Sequence, residues 1–455
     1  MIKRLLYSLV ALLFLCNLSY AQVAYLEEDE IRAAFKEDPG LAAGTKAMYP
    51  EPTQKHAAPP KGYKAFYISH YGRHGARTET RSTPYDTMFS FLDQAHKDGA
   101  LTEYGEDIYS RFCTVYPSLQ NSRGDLTVKG QEQHRGIAER MYRNYPSVLK
   151  KNAEVYASSS VVPRCVVSMA SFMDQLHLLN PNLKITYSAN MADMHYNALV
   201  YLDYPTSDDL DQLKKTSTFT KKAKDVVRKD LKMEPFFLRI CKDMEYVNSH
   251  GGLDVASSFW SVANNMQCLD TDVRFDDMFT EEERYQMWQN ANLSYAAMVG
   301  RTPDTEGLMP QIAQSLLGQI LDQAQEDIQT GAFNVRLRFG HDTVVGPLMS
   351  ILGIEGWTEI VSDPAQIASK VHSFDVPMAS NLQFVFYRRN KDHNDILIRL
   401  MYNEKDQILP LADQSLAPYY KWEAFKDYYQ KVCENARMDL KAAKEKAQLN
   451  KKQAQ

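Results

Sequence analysis

Residues 69–77, Ser-His-Tyr-Gly-Arg-His-Gly-Ala-Arg, bring together the guanidinium groups of Arg73 and Arg77 and the imidazole of His74. Arginine side chains bind phosphate oxygens through charge-assisted hydrogen bonds, and an imidazole nitrogen can act as a nucleophile. The glycines beside these residues let a ligand approach the backbone closely. The segment therefore predicts a phosphate-binding pocket built around a nucleophilic histidine.

A second polar turn contains His341 and Asp342, between a strand-like run at 332–339 and a helical pattern at 344–352. Phosphoryl transfer needs an in-line nucleophile, donors to the phosphate oxygens and a proton for the leaving oxygen. His74 can supply the first of these and Asp342 the last. Loops at the carboxyl ends of parallel strands meet in one crevice, so we expect the two turns to face the same ligand.

The elements around the two turns alternate between strands and helices. An apolar run at 64–68 precedes the first turn, helical patterns begin at Thr83 and Thr127, and a strand-like run at 154–160 precedes a helical pattern at 162–179. Such alternation is typical of a mostly parallel sheet with helices on both faces. The predicted fold class is therefore α/β, with a three-layer core.

The composition changes between residues 191 and 301, where charged, methionine-rich and aromatic-rich segments have helical patterns. We interpret residues 191–301 as an α-helical cap inserted into the core, which then comprises residues 63–190 and 302–435. The lysine-rich run at 214–232 is most simply a solvated helix face, although as part of a cap it can also contact additional phosphates.

Both ends of the chain are expected to lie outside this core. Residues 22–62 contain acidic and proline-rich pieces and predict an extended lead-in, and residues 436–455 predict a polar tail, either a solvated helix end or disordered. Residues 1–21 have the positive start, short apolar stretch and small final residues of a signal peptide. Cys16 resembles a lipoprotein cysteine, but Leu15 precedes it where a small residue is expected.

The sequence therefore predicts a protein exported to the periplasm or the extracellular space, with outer-membrane association left open. No later segment has the roughly 18 consecutive apolar residues that would predict a transmembrane helix. Cleavage after residue 21 would remove Lys3 and Arg4, so the formal charge would change from −5 to 50 minus 57, which is −7. An acidic protein is a poor binder of nucleic acid, and the expected partner is a small-molecule phosphate ester. The cysteines after Cys16 are compatible with one or two disulfides or with buried free thiols.

Taken together, these motifs resemble the two-signature branch of the histidine acid phosphatases, which includes phytases, acid phosphatases and multiple inositol polyphosphate phosphatases. Arg-His-Gly-x-Arg at 73–77 and His-Asp at 341–342 are similar to its two signatures. Residues 125–134 resemble its Leu-Thr-x-x-Gly-x-x-Gln-His helix opening, residues 157–164 resemble the strand and turn that deliver a third arginine, here Arg164, and residues 376–381 resemble a late core strand.

The resemblance implies a role for each site residue. His74 would form a phosphohistidine, and Asp342 would protonate the leaving alkoxide and then help water attack. The phosphoryl oxygens would be held by Arg73, Arg77, Arg164 and His341. No metal or other cofactor is implied, because these side chains can neutralise the charge that other phosphatases give to divalent cations. A zinc pair formed by His70 and His74 would need a helix, which the neighbouring glycines disfavour.

The length and motifs look closest to the bacterial inositol polyphosphate phosphatases, so the implied substrate is a multiply phosphorylated inositol such as phytate. A broad-specificity acid phosphatase acting on sugar phosphates is the alternative enzyme. A catalytically weak phosphate-binding protein on the same fold is an alternative of another class. The chain has Thr78-Glu79 where the family often has a proline, and His341-Asp342 where the inositol polyphosphate branch often has His-Ala-Glu. These departures bear on the substrate more than on the mechanism.

Overall fold

A computed structural model of the chain describes residues 25–52, 56–199, 217–229, 231–389 and 394–453. Within these ranges eight strands form one sheet in the order β3-β2-β4-β1-β5-β6-β7, with β8 paired to β6. The strands are β1 Tyr63–Arg73, β2 Glu154–Ser159, β3 Lys184–Ala189, β4 Val335–Gly340, β5 Asn381–Arg389, β6 Ile396–Tyr402, β7 Lys405–Asp406 and β8 Tyr419–Lys421.

The first four strands in the chain, β1 to β4, are parallel to one another, whereas β5 is antiparallel to both of its neighbours, β1 and β6. Residues 390–395 alone join β5 to β6, and this connection is too short for the crossover helix that parallel neighbours need. The predicted α/β class with a mostly parallel sheet is confirmed. The antiparallel strands extend the sheet on the side of β1 away from β4.

The helices lie between and around these strands. They are α1 Glu28–Glu37, α2 Thr83–Lys97, α3 Glu103–Leu119, α4 Val128–Asn144, α5 Pro163–Leu179, α6 Met194–Asn197, α7 Thr218–Arg228, α8 Glu234–Ile240, α9 Met244–Ser249, α10 Ala256–Asn265, α11 Glu281–Met298, α12 Leu308–Gln311, α13 Gln314–Thr330, α14 Asp342–Ile351, α15 Ile367–Lys370 and α16 Trp422–Gln453. Short 3-10 turns cover Pro39–Lys46, Gly252–Val255, Met266–Cys268, Pro303–Thr305, Pro364–Gln366 and Ser373–Asp375.

Helices cover both faces of the sheet and give the expected three layers. On one face α4 and α5 share an apolar cluster with Ile68 of β1, and on the other face α13, α14 and α16 share a cluster with Tyr67 and Tyr71. Successive side chains of a strand point to opposite faces, so Arg73 follows Tyr71 on the second face and His70 follows Ile68 on the first. The alternation of residues along β1 therefore places Arg73 on the second face of the sheet.

A separate apolar cluster forms the helical cap. Side chains of α8, α9 and α10 share it with side chains of α2 and α3, which precede the insertion expected at 191–301. The lysine-rich run of that insertion lies partly outside the described residues. In its described part, Lys221 and Lys222 are exposed on α7, which packs against α11 and the turn Pro303–Thr305.

The lead-in before β1 is more regular than the extended segment that its composition predicts. Residues 28–37 form the helix α1, because Glu27 and Glu30 form a capping box at its start and Ile31 and Phe35 bury one apolar face. The expectation of an extended chain was wrong over this stretch.

Residues 1–21, where a signal peptide is predicted, lie outside the described ranges. None of the described helices is long and apolar enough to cross a membrane. Among the described residues every cysteine is free rather than in a disulfide, namely Cys113, Cys165, Cys241, Cys268 and Cys433.

The layer beneath the first turn contains a buried histidine, His70, whose Nδ1 has no hydrogen-bond partner among the described residues. His70 is 1% exposed, and its ring lies 5.6 Å from that of Phe172 and 5.5 Å from that of Phe339. Burial, together with the nearby His134 and Arg338, lowers the pKa of His70 to about 3. The folded protein therefore keeps His70 neutral under conditions where an unfolded histidine is protonated.

We expect replacement His70→Phe to weaken the dependence of stability on pH. An unfolded histidine titrates near pH ~6.5, so between that pH and about 3 the unfolded state binds more protons at residue 70. The free energy of unfolding falls as pH is lowered through this window, and removing the imidazole should reduce the slope by up to ~1.4 kcal/mol per pH unit. Urea unfolding between pH 7 and pH 5 measures the slope. The control is His177→Phe, which replaces an exposed histidine. Equal slopes for His70→Phe and wild type would contradict the conclusion that buried His70 contributes to the pH dependence of stability.

Candidate active site

The two predicted turns lie side by side because β1 and β4 are adjacent parallel strands. Arg73, the last residue of β1, pairs in register with Gly340, the last residue of β4. The backbone N–H of His74 donates a hydrogen bond to the Gly340 carbonyl at 2.9 Å. The sheet thus brings His74 and the His341-Asp342 turn together although they are far apart in the sequence.

His74 has a defined tautomer and is almost fully buried, with 1% exposure. Its Nδ1 lies 2.9 Å from the Gly75 carbonyl oxygen. A carbonyl only accepts, so Nδ1 carries the hydrogen and Nε2 holds the lone pair. Burial and the guanidinium groups of Arg73 and Arg77 lower the pKa of His74 well below its usual range. The imidazole is therefore neutral, with a free nitrogen at Nε2.

The space beside Gly75 is filled by the protein itself. A Cβ at this position would lie 2.4 Å from the Gly130 carbonyl oxygen near the start of α4. The Thr127 hydroxyl caps α4 by accepting a hydrogen bond from the Gly130 N–H at 3.2 Å. Gly75 thus permits a close approach of α4 to the turn, rather than the ligand approach that the glycine-rich sequence suggests.

Asp342 and Arg73 form an ion pair at the edge of this pocket. Arg73 Nη2 lies 3.1 Å from Asp342 Oδ2, while Arg73 Nη1 donates to the main-chain carbonyls of Thr45 at 2.6 Å and Val376 at 2.8 Å. Burial raises the pKa of Asp342, but Arg73 and Arg77 outweigh this effect and hold the pKa below its usual range. Its place as the first residue of α14 also favours the carboxylate. Without a ligand, Asp342 is ionised.

His341 and Arg164 complete the cluster. The His341 and His74 rings lie 5.8 Å apart, His341 Nε2 is 3.1 Å from Ser160 Oγ, and its Nδ1 is 3.5 Å from an Arg164 guanidinium nitrogen. Burial and then Arg164 lower the pKa of His341 to about 4. All six predicted site residues, Arg73, His74, Arg77, Arg164, His341 and Asp342, are thus linked by contacts or by mutual electrostatic effects.

The arginines of the cluster have unused hydrogen-bond donors. Among the residues that the structure describes, the buried Nε groups of Arg73, Arg77 and Arg164 have no hydrogen-bond partner. Buried polar groups are nearly always paired, because leaving a charged donor unpaired costs free energy. Unpaired guanidinium donors around one imidazole are the arrangement expected of an anion-binding site.

Sequence reasoning missed Tyr71, which holds the second turn in place. Its hydroxyl accepts a hydrogen bond from the His341 N–H at 3.1 Å and donates one to the Asn197 carbonyl at 2.9 Å. A Cβ on Gly340 would lie 2.1 Å from both oxygens, so this bridge requires glycine there. The signal in the sequence was the two-residue spacing of Tyr71 and Arg73, which puts both on one face of β1.

Comparison with known proteins agrees with this fold and site. The model of the histidine phosphatase superfamily, branch 2, matches residues 72–403, and the chain belongs to this family. It is therefore a phosphatase of the hydrolase class, as the motifs predict. No curated protein matches the chain in a sequence comparison.

Solved structures with the same fold have low sequence identity to this chain. The Bifidobacterium longum multiple inositol polyphosphate phosphatase in complex with inositol hexasulfate is 18% identical, with a TM-score of 0.68 over 84% of this chain and 96% of that one. The phytase from D. castellii is 15% identical, with a TM-score of 0.58 over 91% and 92% of the two chains. At these identities the likeness shows that the fold is shared.

We expect Tyr71→Phe to lower phosphatase activity through the second turn. The change leaves the His341 N–H and the Asn197 carbonyl without their partner, which should cost about 1–3 kcal/mol of stability and reduce kcat by ~10-fold as the Asp342 turn shifts. Chemical unfolding and steady-state kinetics measure the two effects.

Tyr67→Phe is the matched control, because the Tyr67 hydroxyl donates to Asp327 at 3.1 Å on the same face of β1 but touches neither turn. It should lose stability and keep its activity. An equal loss of kcat in both variants would mean that Tyr71 acts only through stability.

Proposed function

We propose that this phosphatase hydrolyses phosphate monoesters through a phosphohistidine at His74, with inositol polyphosphates such as phytate as its substrates. The observation that carries the proposal is a neutral imidazole, with Nε2 free, surrounded by guanidinium groups with unused donors. Binding alone would need neither a free imidazole nitrogen nor an adjacent carboxyl group. This combination favours an enzyme over the alternative of a weak phosphate-binding protein.

In the first step, His74 Nε2 attacks the phosphorus as the bond to the ester oxygen breaks. Arg73, Arg77 and Arg164, with His341, offset the charge on the phosphoryl oxygens, and Asp342 gives its proton to the leaving alkoxide. The imidazole becomes positively charged when the N–P bond forms. The Nδ1–H group of His74 remains hydrogen-bonded to the Gly75 carbonyl, which stabilises that charge.

In the second step, water attacks the phosphohistidine and the N–P bond breaks. The Asp342 carboxylate takes a proton from the attacking water, and inorganic phosphate leaves. His74 returns to its neutral form with the lone pair on Nε2. Asp342 releases the proton to solvent once phosphate has left, and it takes up a proton again when the next ester binds. The residues of the two turns thus complete the cycle without a further co-reactant.

The first step requires a proton on Asp342, although Arg73 and Arg77 hold its pKa below the usual range in the free protein. A bound phosphate dianion opposes the field of the arginines and raises the affinity of Asp342 for a proton. Protonation of Asp342 is therefore coupled to substrate binding. The rate of the first step should fall as pH rises, because a smaller fraction of the enzyme–substrate complex then carries the proton.

The proposed substrate rests on the family and on solved structures with the same fold. The Bifidobacterium longum enzyme, a multiple inositol polyphosphate phosphatase, was solved with inositol hexasulfate, which has the shape of phytate. A broad-specificity acid phosphatase acting on sugar phosphates remains the alternative. The composition of residues 1–21 supports the further proposal that the enzyme acts after export to the periplasm or the extracellular space.

The nucleophile is tested with His74→Ala, which should lose phosphatase activity by ~10³-fold or more because the variant cannot form the phosphohistidine. Phosphate release is measured from phytate, a sugar phosphate and an aryl phosphate, each with EDTA present. Wild type and the control His177→Ala should keep their activity in EDTA. Equal turnover by His74→Ala and wild type would overturn the nucleophile, loss on chelation would indicate a metal, and preference for the aryl ester over phytate would favour the alternative enzyme.

The proton donor is tested with Asp342→Asn and two kinds of leaving group. An inositol alkoxide needs a proton as it departs, whereas a nitrophenolate is stable without one. The variant should therefore lose ~10²–10⁴-fold in kcat on phytate and much less on the nitrophenyl ester when phosphohistidine formation limits the rate. Wild-type activity on phytate should fall as pH rises. Equal losses on both esters in single-turnover release of the leaving group, which reports only the first step, would contradict the role of Asp342 as proton donor. A rate maximum well above neutrality would contradict it as well.

A further inference from the structure

The loop after Arg77 carries a buried acidic residue, Glu79. Glu79 is 6% exposed, and its Oε1 accepts hydrogen bonds from Lys46 Nζ and, at 2.7 Å, from Ser261 Oγ. Lys46 Nζ also donates to Ser261 Oγ at 2.9 Å. The Lys46–Glu79 ion pair and Ser261 thus join three separate parts of the chain, namely the lead-in, the signature loop (residues 73–79) and the cap helix α10.

The same cap helix also holds the main chain of the signature loop. Asn265 donates from its side-chain amide to the Arg77 carbonyl at 2.9 Å. Its amide oxygen accepts a hydrogen bond from the Tyr85 hydroxyl, which in turn accepts one from the Glu79 N–H at 2.9 Å. Ser261 and Asn265 lie four residues apart and therefore on one face of α10. That face contacts residues 77–79 at three places. These are the carbonyl of Arg77, the carboxylate of Glu79 and, through Tyr85, the N–H of Glu79.

The lead-in contacts the other arginine of the signature. Arg73 Nη1 donates to the carbonyl of Thr45, the residue before Lys46. The carbonyl of Lys46 accepts a hydrogen bond from the Cys268 thiol at 3.4 Å. Cys268 lies just beyond the end of α10. A continuous set of contacts thus runs from Arg73 through Thr45 and Lys46 to Glu79 and back to Arg77.

From these contacts we infer that the Lys46–Glu79 ion pair is a positioning device that sets the spacing of Arg73 and Arg77 around the substrate phosphate. The inference rests on the proposed function, because it assumes that both arginines bind the phosphoryl group. Lys46 and Glu79 do not themselves need to touch the substrate. Two guanidinium groups bind one phosphate well only when their donors match its oxygens, so a small shift of one loop weakens the site.

Glu79 is charged in the folded protein. Burial raises its pKa, but the neighbouring Lys46 outweighs this effect and keeps the pKa below the usual range. Removing one partner would leave the other charge buried and unpaired, which destabilises a protein strongly, whereas replacing both partners by apolar residues is often neutral. A double replacement therefore tests the effect of the ion pair on the arrangement of the arginines without a large loss of stability. It also leaves the net charge near Arg77 unchanged.

The test compares the double variant Lys46→Met/Glu79→Met with wild type, using inorganic phosphate as a competitive inhibitor at a temperature well below unfolding. We expect the inhibition constant of phosphate to rise by about tenfold, since both arginines still carry their charge but no longer match one phosphate. The matched control is Arg239→Met/Glu283→Met, a cap ion pair in which Glu283 is buried and Arg239 is partly exposed, with N–O distances of 3.0 and 2.5 Å. Its inhibition constant should stay within about twofold of wild type, because neither residue touches the signature loop.

The variant Arg77→Ala distinguishes a failure of the proposed phosphate-binding role from a failure of the positioning role. If Arg77→Ala leaves the inhibition constant unchanged, the proposed phosphate-binding role of Arg77 is wrong. If it raises the constant but Lys46→Met/Glu79→Met does not, only the positioning role is overturned. An equal rise in the Arg239→Met/Glu283→Met control also overturns it, since general loosening of the cap would then explain the effect.

If the double variant does not fold, Ser261→Ala serves in its place. This change removes one hydrogen bond to Glu79 and leaves the ion pair intact. We expect a rise of about two- to threefold in the inhibition constant of phosphate, in line with the loss of one hydrogen bond. A value equal to wild type would overturn the positioning role.

Discussion

The site depends on keeping several positive charges buried next to a neutral imidazole. Burying a guanidinium group costs several kcal/mol unless hydrogen bonds and an opposite charge offset the loss of water. For Arg73 the offset comes from Asp342 and from the carbonyls of Thr45 and Val376, which belong to segments far apart in the chain. Part of the donor capacity of the arginines stays unused within the described residues. The protein thus satisfies these arginines only in part, and the remaining donors are the ones that we propose bind the substrate phosphate.

The same positive charge, which adds to the effect of burial on His74, has opposite consequences for the two reactive groups. It lowers the pKa of His74, which keeps the proposed nucleophile neutral, and it lowers the pKa of Asp342, which keeps the proposed acid ionised. Only the first effect helps the reaction in the free protein. In the proposed mechanism, binding of a phosphate dianion reverses the second effect and restores a proton donor where it is needed. Under that mechanism one arrangement of charge links proton supply to the presence of substrate.

Much of the fold and of the site could be predicted from local sequence. The strand before His74, the strand before His341 and the helices after both turns follow from apolar runs and capping residues that are close together in the chain. The side-by-side position of the two turns follows from the rule that parallel strands end at one edge of a sheet. The candidate site residues could be named from the sequence because each has a distinctive side chain in a short motif.

The residues that could not be predicted act across the chain. Thr45 and Val376 contribute main-chain carbonyls, which every residue has, so no side chain marks them. Tyr71 bridges to Asn197, and its role appears only when β4 lies next to β1. The helix α1 was missed because its two buried residues have meaning only beside the aromatic side chains of α11. In each case the information lies in tertiary contacts rather than in local pattern.

The geometry divides the site into a part fixed by the sheet and a part fixed by surrounding segments. The distance between His74 and the His341-Asp342 turn is set by the register of β1 and β4, with Arg73 opposite Gly340. The arrangement of the arginines depends instead on the lead-in, through Thr45, and on the cap, through Asn265. If the arginines bind phosphate as proposed, sequence changes in the cap and the lead-in alter how tightly it is held, while the proposed nucleophile and acid keep their spacing. Under this proposal the surrounding segments, rather than the sheet, determine the choice of substrate.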